Sequence, residues 1–164
     1  MNDVSLIDIP VKWLDHICLI DTPGTNAIIR KHEQLTNMFV PRADLVLFVT
    51  SAERPLSDSE AEFFHNIKKW GKKVIIVVNK MDILNSEEQK NTVISYVSAN
   101  ASNILGTVNP VPIFGVSARL GLDAKMVYKG SDPALGPGAG RWLESRLGVF
   151  EEVNAYFIFM FLRL

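Results

Sequence analysis

The sequence is nearly without cysteine, has no surplus of either charge and contains no long apolar run; each shortage removes a class of protein. Cys18 is the single cysteine of the 164 residues, so no disulfide framework can form within the chain. Set in the apolar run Ile17 to Ile20, its thiol is expected to sit buried in a core, in a reducing compartment. The 17 basic and 18 acidic residues leave a formal net charge of −1 and are scattered, so the electrostatic footprint of a nucleic-acid-binding protein is missing and no nucleic-acid partner is expected. The apolar end, Tyr156-Phe157-Ile158-Phe159-Met160-Phe161-Leu162, is shorter than the about 20 residues a membrane span requires. Met1 to Asp3 carry neither a basic region nor an apolar stretch, which reads as no secretory signal. His16, His32 and His65 share no metal-ligand spacing and are read as surface or structural residues.

What remains, 48% hydrophobic and 21% charged, suits one globular domain with a core of its own. Val4 to Ile9 alternates apolar and polar residues and Ile17 to Ile20 is a short apolar run, the pattern of two strands. Helical spacing of Leu35, Met38 and Phe39 stops at Pro41. Leu45 to Val49 and Val74 to Val78 are continuously apolar, as strands covered on both faces of a sheet should be. Each precedes a helix. Ser57 with Glu60 opens one and Ser86 with Gln89 the other as capping-box pairs, and Gly71 and Gly106 close them. Val111 to Val116 reads as a last strand and Leu122 to Val127 as a short helical stretch. Gly130 to Gly140, rich in Gly and Pro, reads as a loop or linker. This alternation specifies an α/β fold, a largely parallel sheet flanked by helices with functional loops at the carboxyl ends of the strands.

Two of those strand ends carry chemistry. After Ile17 to Ile20 comes Asp21-Thr22-Pro23-Gly24, and after Val74 to Val78 comes Asn79-Lys80-Met81-Asp82. An aspartate closing an apolar strand can hold a hydrated Mg²⁺ ion through water, and a glycine three residues on lets a backbone N–H approach a terminal phosphate. A plain strand-ending turn explains Asp21 to Gly24 as well, because Asp, Pro and Gly all favour turns. The NKxD pattern is more specific: at average residue usage it arises by chance about once in fifty chains of this length. A carboxylate such as Asp82 can accept two hydrogen bonds, from N1–H and the exocyclic amine of guanine, and adenine offers no such pair. Lys80 could lay its methylenes over a purine face, and Asn79 could tie neighbouring loops together, although a solvated turn would also use these residues. Ser117-Ala118-Arg119 closes the last strand, where a small residue lets a backbone N–H reach the guanine carbonyl oxygen.

DTPG, NKMD and VSAR in this order resemble the later nucleotide motifs of the P-loop GTPase superfamily. More narrowly, Asp21 to Pro55 resembles the switch region of bacterial dynamin-like proteins and their chloroplast FZO-like relatives, a mitofusin-related group. The likeness runs over Trp13 to Lys125 and, more loosely, Trp142 to Tyr156. It implies a membrane-remodelling GTPase with GTP or GDP and Mg²⁺ as cofactors. Asp21, Thr22, Pro23 and Gly24 would then serve the Mg²⁺ shell and phosphate sensing, and Asn79, Lys80, Asp82, Ser117 and Ala118 would bind guanine. It also implies self-association through the GTPase domain and membrane contact through parts outside this chain. The implied location is peripheral to a membrane, cytoplasmic in a bacterium or organellar in a eukaryote, in a chloroplast before a mitochondrion.

The sequence departs from the family in having no GxxxxGK[ST] loop; Gly136 to Gly140 follows no strand and has no Lys-Ser or Lys-Thr after it. The implied fold is therefore N-terminally truncated, missing the first strand and the phosphate-binding loop, and inactive alone. The family places that strand between Ile17 to Ile20 and Leu45 to Val49. The expected division is a partial GTPase domain over 1–128, a linker over 129–141 and a helical segment over 142–164. Two other functions share these motifs: a translation or ribosome-assembly GTPase, and a degenerate, non-hydrolysing interaction module.

Overall fold

A computed structural model describes residues 5–10, 18–22, 38–107, 109–127 and 132–152. Its centre is a three-stranded parallel sheet in the order β1 (Leu45–Ser51), β2 (Lys73–Asn79), β3 (Ile113–Gly115). Leu45 pairs with Lys73 and Ser51 with Asn79, so β1 and β2 finish level; Ile76 to Val78 pair with Ile113 to Gly115. Each step between strands passes through a helix, α1 (Asp58–Lys69) and then α2 (Glu87–Leu105). This is the α/β architecture with a parallel sheet that the alternation called for.

The helix boundaries follow local chemistry. Ser57 and Glu60 form the capping box of α1, with Glu60 Oε2 accepting from Ser57 N–H at 2.8 Å. At the other end Gly71 N–H reaches Lys68 C=O and Lys72 N–H reaches Ile67 C=O, the paired bonds of a Schellman stop that needs the positive φ of Gly71, 63°. Ser86 Oγ accepts from Gln89 N–H to open α2, and Gly106 closes it.

The core lies between the sheet and α1 and α2. Phe64, Ile67, Ile76, Val78, Val97 and Ala101 are fully buried there. Phe48 of β1 sits edge-on to Phe64 with ring centroids 4.4 Å apart and stacks on Phe63, fixing α1 over β1. On the opposite face β2 is also covered, with Ile75 and Val77 buried, but their register partners on β1, Leu47 and Val49, are 39% and 59% exposed. Burial on both faces was expected of both strands; β2 has it and β1 has it on one face only.

The N-terminal expectations are corrected more strongly. Residues 5–10 and 18–20 form no strand; Leu6, Ile7, Ile9, Leu19 and Ile20 are exposed, and so is the Cys18 thiol that the apolar run suggested would be buried. A strand is stable only against a neighbour that takes up its backbone groups, and among the described residues β1 pairs with β2 alone. Ile17, Leu35 and the start of the helical pattern before Met38 lie outside the described residues. Beyond the sheet, α3 (Ala118–Val127) begins four residues earlier than the expected Leu122, directly after Ser117. The Gly/Pro-rich stretch holds a 3-10 turn, Pro133–Leu135, and α4 (Ala139–Ser145) opens within it and packs on α3.

Candidate functional site

The level ends of β1 and β2, together with the start of α3, bring the site together. Asn79 is the last residue of β2, and its carbonyl accepts from Ala52 N–H just past β1 at 2.9 Å. Its side-chain Oδ1 accepts from Lys80 N–H at 2.7 Å and from Ala118 N–H at 3.0 Å, so one amide ties the β2 turn to the first residue of α3. The turn is held from below as well: Met81 N–H donates to Val116 C=O and Val116 N–H to Val78 C=O. Lys80 takes a left-handed backbone, φ 63°, uncommon for a residue with a Cβ. That reversal starts the 3-10 turn Met81–Ile83, which buries Met81 and presents Asp82 to α3.

Asp82 is the centre of the cluster, with its side chain only 8% exposed. Oδ1 accepts from Ser117 Oγ at 2.5 Å; Oδ2 accepts from Arg119 Nη2 at 2.7 Å and from Arg119 Nε at 3.3 Å. The Ser117 hydroxyl is the main reason the carboxyl sits below its usual value of 3.8; burial opposes it, and the Arg119 guanidinium adds to the lowering. Ser117 is itself fixed, 1% exposed, its N–H on Ser145 C=O of α4 and its Oγ accepting from Leu120 N–H at the head of α3. Lys80 Nζ reaches Glu53 Oε2 at 2.6 Å, with both side chains about half exposed.

Asn79, Lys80, Asp82, Ser117 and Ala118 thus come together as their spacing suggested. Asn79 does tie the loops. Ala118 N–H, expected to face a base, points into the Asn79 amide. Asp21 stands exposed at the end of the 18–22 stretch with Thr22 beside it, and neither takes part in the bonds of this cluster; Pro23 and Gly24 lie outside the described residues. Two participants carry no assignment in the sequence reading. Arg119 was visible as the third residue of its motif and opposite in charge to Asp82. Glu53 had no signal beyond being an acid two residues past β1, because nothing in the local pattern tells which lysine it will meet.

The chemistry of Asp82 fits a guanine edge: a buried, ionised, pre-set acceptor that takes two adjacent N–H donors on its accessible side. Among the described residues no cluster of His, Cys, Asp or Glu is placed to hold a metal ion.

A sequence profile of the Dynamin family matches residues 2–82. A probable transmembrane GTPase, FZO-like and chloroplastic, from Arabidopsis thaliana is 42% identical over 118 residues, 72% of this chain and 13% of that protein. An uncharacterised protein in the xynA 3′ region of Caldicellulosiruptor is 28% identical over 125 residues, 76% of this chain and 31% of its own length. GTPase Der of Buchnera aphidicola is 37% identical over 79 residues, 46% of this chain and 17% of that enzyme. The chain therefore spans less than a third of each of these relatives. With the dynamin profile, the FZO-like relative and the parallel α/β fold in agreement, the chain belongs to the dynamin-like GTPases of the P-loop superfamily.

Proposed function

We propose that this chain supplies the guanine-reading part of the GTP-binding domain of a membrane-remodelling dynamin-like GTPase. The observation that carries the base-reading role is the state of Asp82: almost closed from solvent, held on one oxygen by Ser117 and accepting two N–H groups on the other. A carboxylate so prepared costs little to reorganise when a base edge arrives and is expensive to leave unpaired, which is how guanine is favoured over adenine. Asn79 sets the loop, Lys80 borders the base, and Ala118 N–H passes from the Asn79 amide to the guanine carbonyl oxygen. Asp21 would hold Mg²⁺ through water and Gly24 would sense the terminal phosphate, with Thr22 and Pro23 shaping the turn between them. Self-association through the GTPase domain, membrane contact through other parts of a longer protein and an organellar or bacterial membrane location belong to the same proposal. Among the described residues no helix is long and apolar enough to cross a membrane.

The Der similarity favours a second reading, a translation or ribosome-assembly GTPase, over a shorter share of the chain. The near-neutral charge argues against the basic surface such a role uses.

The base-reading role is tested with mononucleotides, since the sequence has no GxxxxGK[ST] loop and submicromolar GDP binding is not expected of the chain alone. By NMR titration GMP should bind in preference to AMP, and Asp82→Asn should weaken GMP and admit XMP, because an amide donates where the carboxylate accepted. Equal binding of GMP and AMP, or no effect of Asp82→Asn, removes Asp82 from base recognition and leaves the non-hydrolysing interaction module as the reading to pursue.

A further inference from the structure

Asp82 offers an incoming base only one side. Oδ1 is committed to Ser117, and Ser117 cannot turn away without giving up its place at the head of α3, under α4. Oδ2 carries Arg119 through two different nitrogens, Nε and Nη2, in a fork of adjacent N–H groups. That fork has the same donor pattern as the N1–H and exocyclic amine of guanine. The two side chains differ sharply in exposure, 8% for Asp82 and 68% for Arg119, so the arginine forms a solvent-facing cover over an otherwise closed acceptor.

We infer that Arg119 is a resident competitor for the base, holding on Asp82 the position that the guanine donor pair takes, so that a purine enters only by displacing it. This rests on the base-reading role proposed for Asp82. The exchange swaps one pair of N–H donors for another, which keeps the carboxylate satisfied throughout and spares the cost of an unpaired buried charge. The displaced guanidinium has somewhere to go. Asp123, one helical turn along α3, and Glu144 on α4 both act on its charge. The device also sharpens selection: guanine brings the adjacent donor pair needed to replace Arg119, whereas adenine sets an acceptor, N1, beside its amine and leaves the cover shut. Arg119 is in these terms a specificity-determining residue acting by competition.

The test is GMP and AMP titration of the full chain and of Arg119→Ala, read by NMR, with the Arg119 Nε–H resonance followed in the unaltered chain. Removing the competitor should tighten GMP by about two- to fivefold, the span an exposed ion pair is worth, and should do nothing for AMP. In the unaltered chain GMP should move the Arg119 Nε–H signal and AMP should not. GMP affinity unchanged or weakened by Arg119→Ala, while Asp82→Asn still weakens it, would overturn the competition and leave base reading intact. An Arg119 Nε–H signal indifferent to saturating GMP would do the same, and this holds even if Arg119→Ala fails to fold. If Asp82→Asn does not alter GMP binding, base reading fails and the competition fails with it.

Discussion

Asp82 owes its low proton affinity to the Ser117 hydroxyl first and to the Arg119 guanidinium beside it, and this sets the expected effects of mutation. The group's pKa is depressed on folding, so the stability it lends is fully present above the usual 3.8 and is lost as pH falls through the lower folded-state value. The gap in melting temperature between the unaltered chain and Asp82→Asn should therefore be constant above about pH 5 and close on further acidification. Ser117→Ala and Arg119→Ala should each move the acid limb upward relative to the unaltered chain, because both partners favour the ionised carboxyl. Circular-dichroism melts across the acid range check both; an acid limb that responds to neither substitution would show that these bonds do not hold the carboxyl ionised. Much of this cluster was legible in the sequence, since NKMD and VSAR each follow an apolar strand and a level sheet brings strand ends together. The engagement of Arg119 and Glu53 was not. Both bonds link residues far apart in the chain, and spacing along one strand carries no information about a partner on another.

Elements were readable to the extent that their signals are local. Capping pairs and glycine stops fixed α1 and α2 closely, because those motifs satisfy the helix's own end groups. The C-terminal helices were harder, since glycine there serves packing. A Cβ on Gly138, which precedes α4, would lie 2.9 Å from Ala124 Cα and 3.1 Å from Ala124 O, backbone atoms of α3 that cannot step aside. Gly140, inside α4, has nothing within 4 Å of the same position. Gly138→Ala should cost about 1–3 kcal/mol through overpacking, whereas Gly140→Ala should stabilise by up to about 1 kcal/mol through helix propensity. In thermal melts the first should lower and the second raise the midpoint by about 2–4 °C per kcal/mol. Two shifts of the same sign would mean that α4 is not held against α3 as described. A similar measurement reads the α1 cap: Glu60 Oε2 also takes Ser57 Oγ at 3.0 Å and Thr50 Oγ1 at 3.3 Å, so Glu60→Ala should cost about 1 kcal/mol or somewhat more.

Among the described residues the sheet is unevenly covered, with β1 at its edge. Leu47 and Val49 extend the buried row of Ile75 and Val77 into solvent, an apolar step on an edge strand of the kind that promotes self-adhesion. Val49→Lys should change folding stability by no more than about 0.5 kcal/mol, as exposed substitutions do, while raising the concentration at which light scattering sets in. A large loss of stability would show that this face is covered in solution. The same edge explains why the N-terminal reading went furthest astray. Alternation in Val4 to Ile9 and the apolar run at Cys18 specify a need for burial and pairing, but neither says which strand will answer it.

The one-sided pairing of β1 also sets a clock on individual protons. In a parallel pair, alternate residues of a strand send their N–H toward one neighbour and the rest toward the other side. Over Ile76–Val78 β2 has strands on both flanks, but among the described residues β1 has only β2. In deuterium oxide those β2 amides must wait for the sheet to open, whereas every second amide of β1 can exchange while the sheet stays closed. A residue-by-residue time course should then run fast and slow in turn along Leu45–Ser51 and uniformly slow along Ile76–Val78, where β2 is paired on both sides, so that the outer edge of the described sheet keeps two times at once.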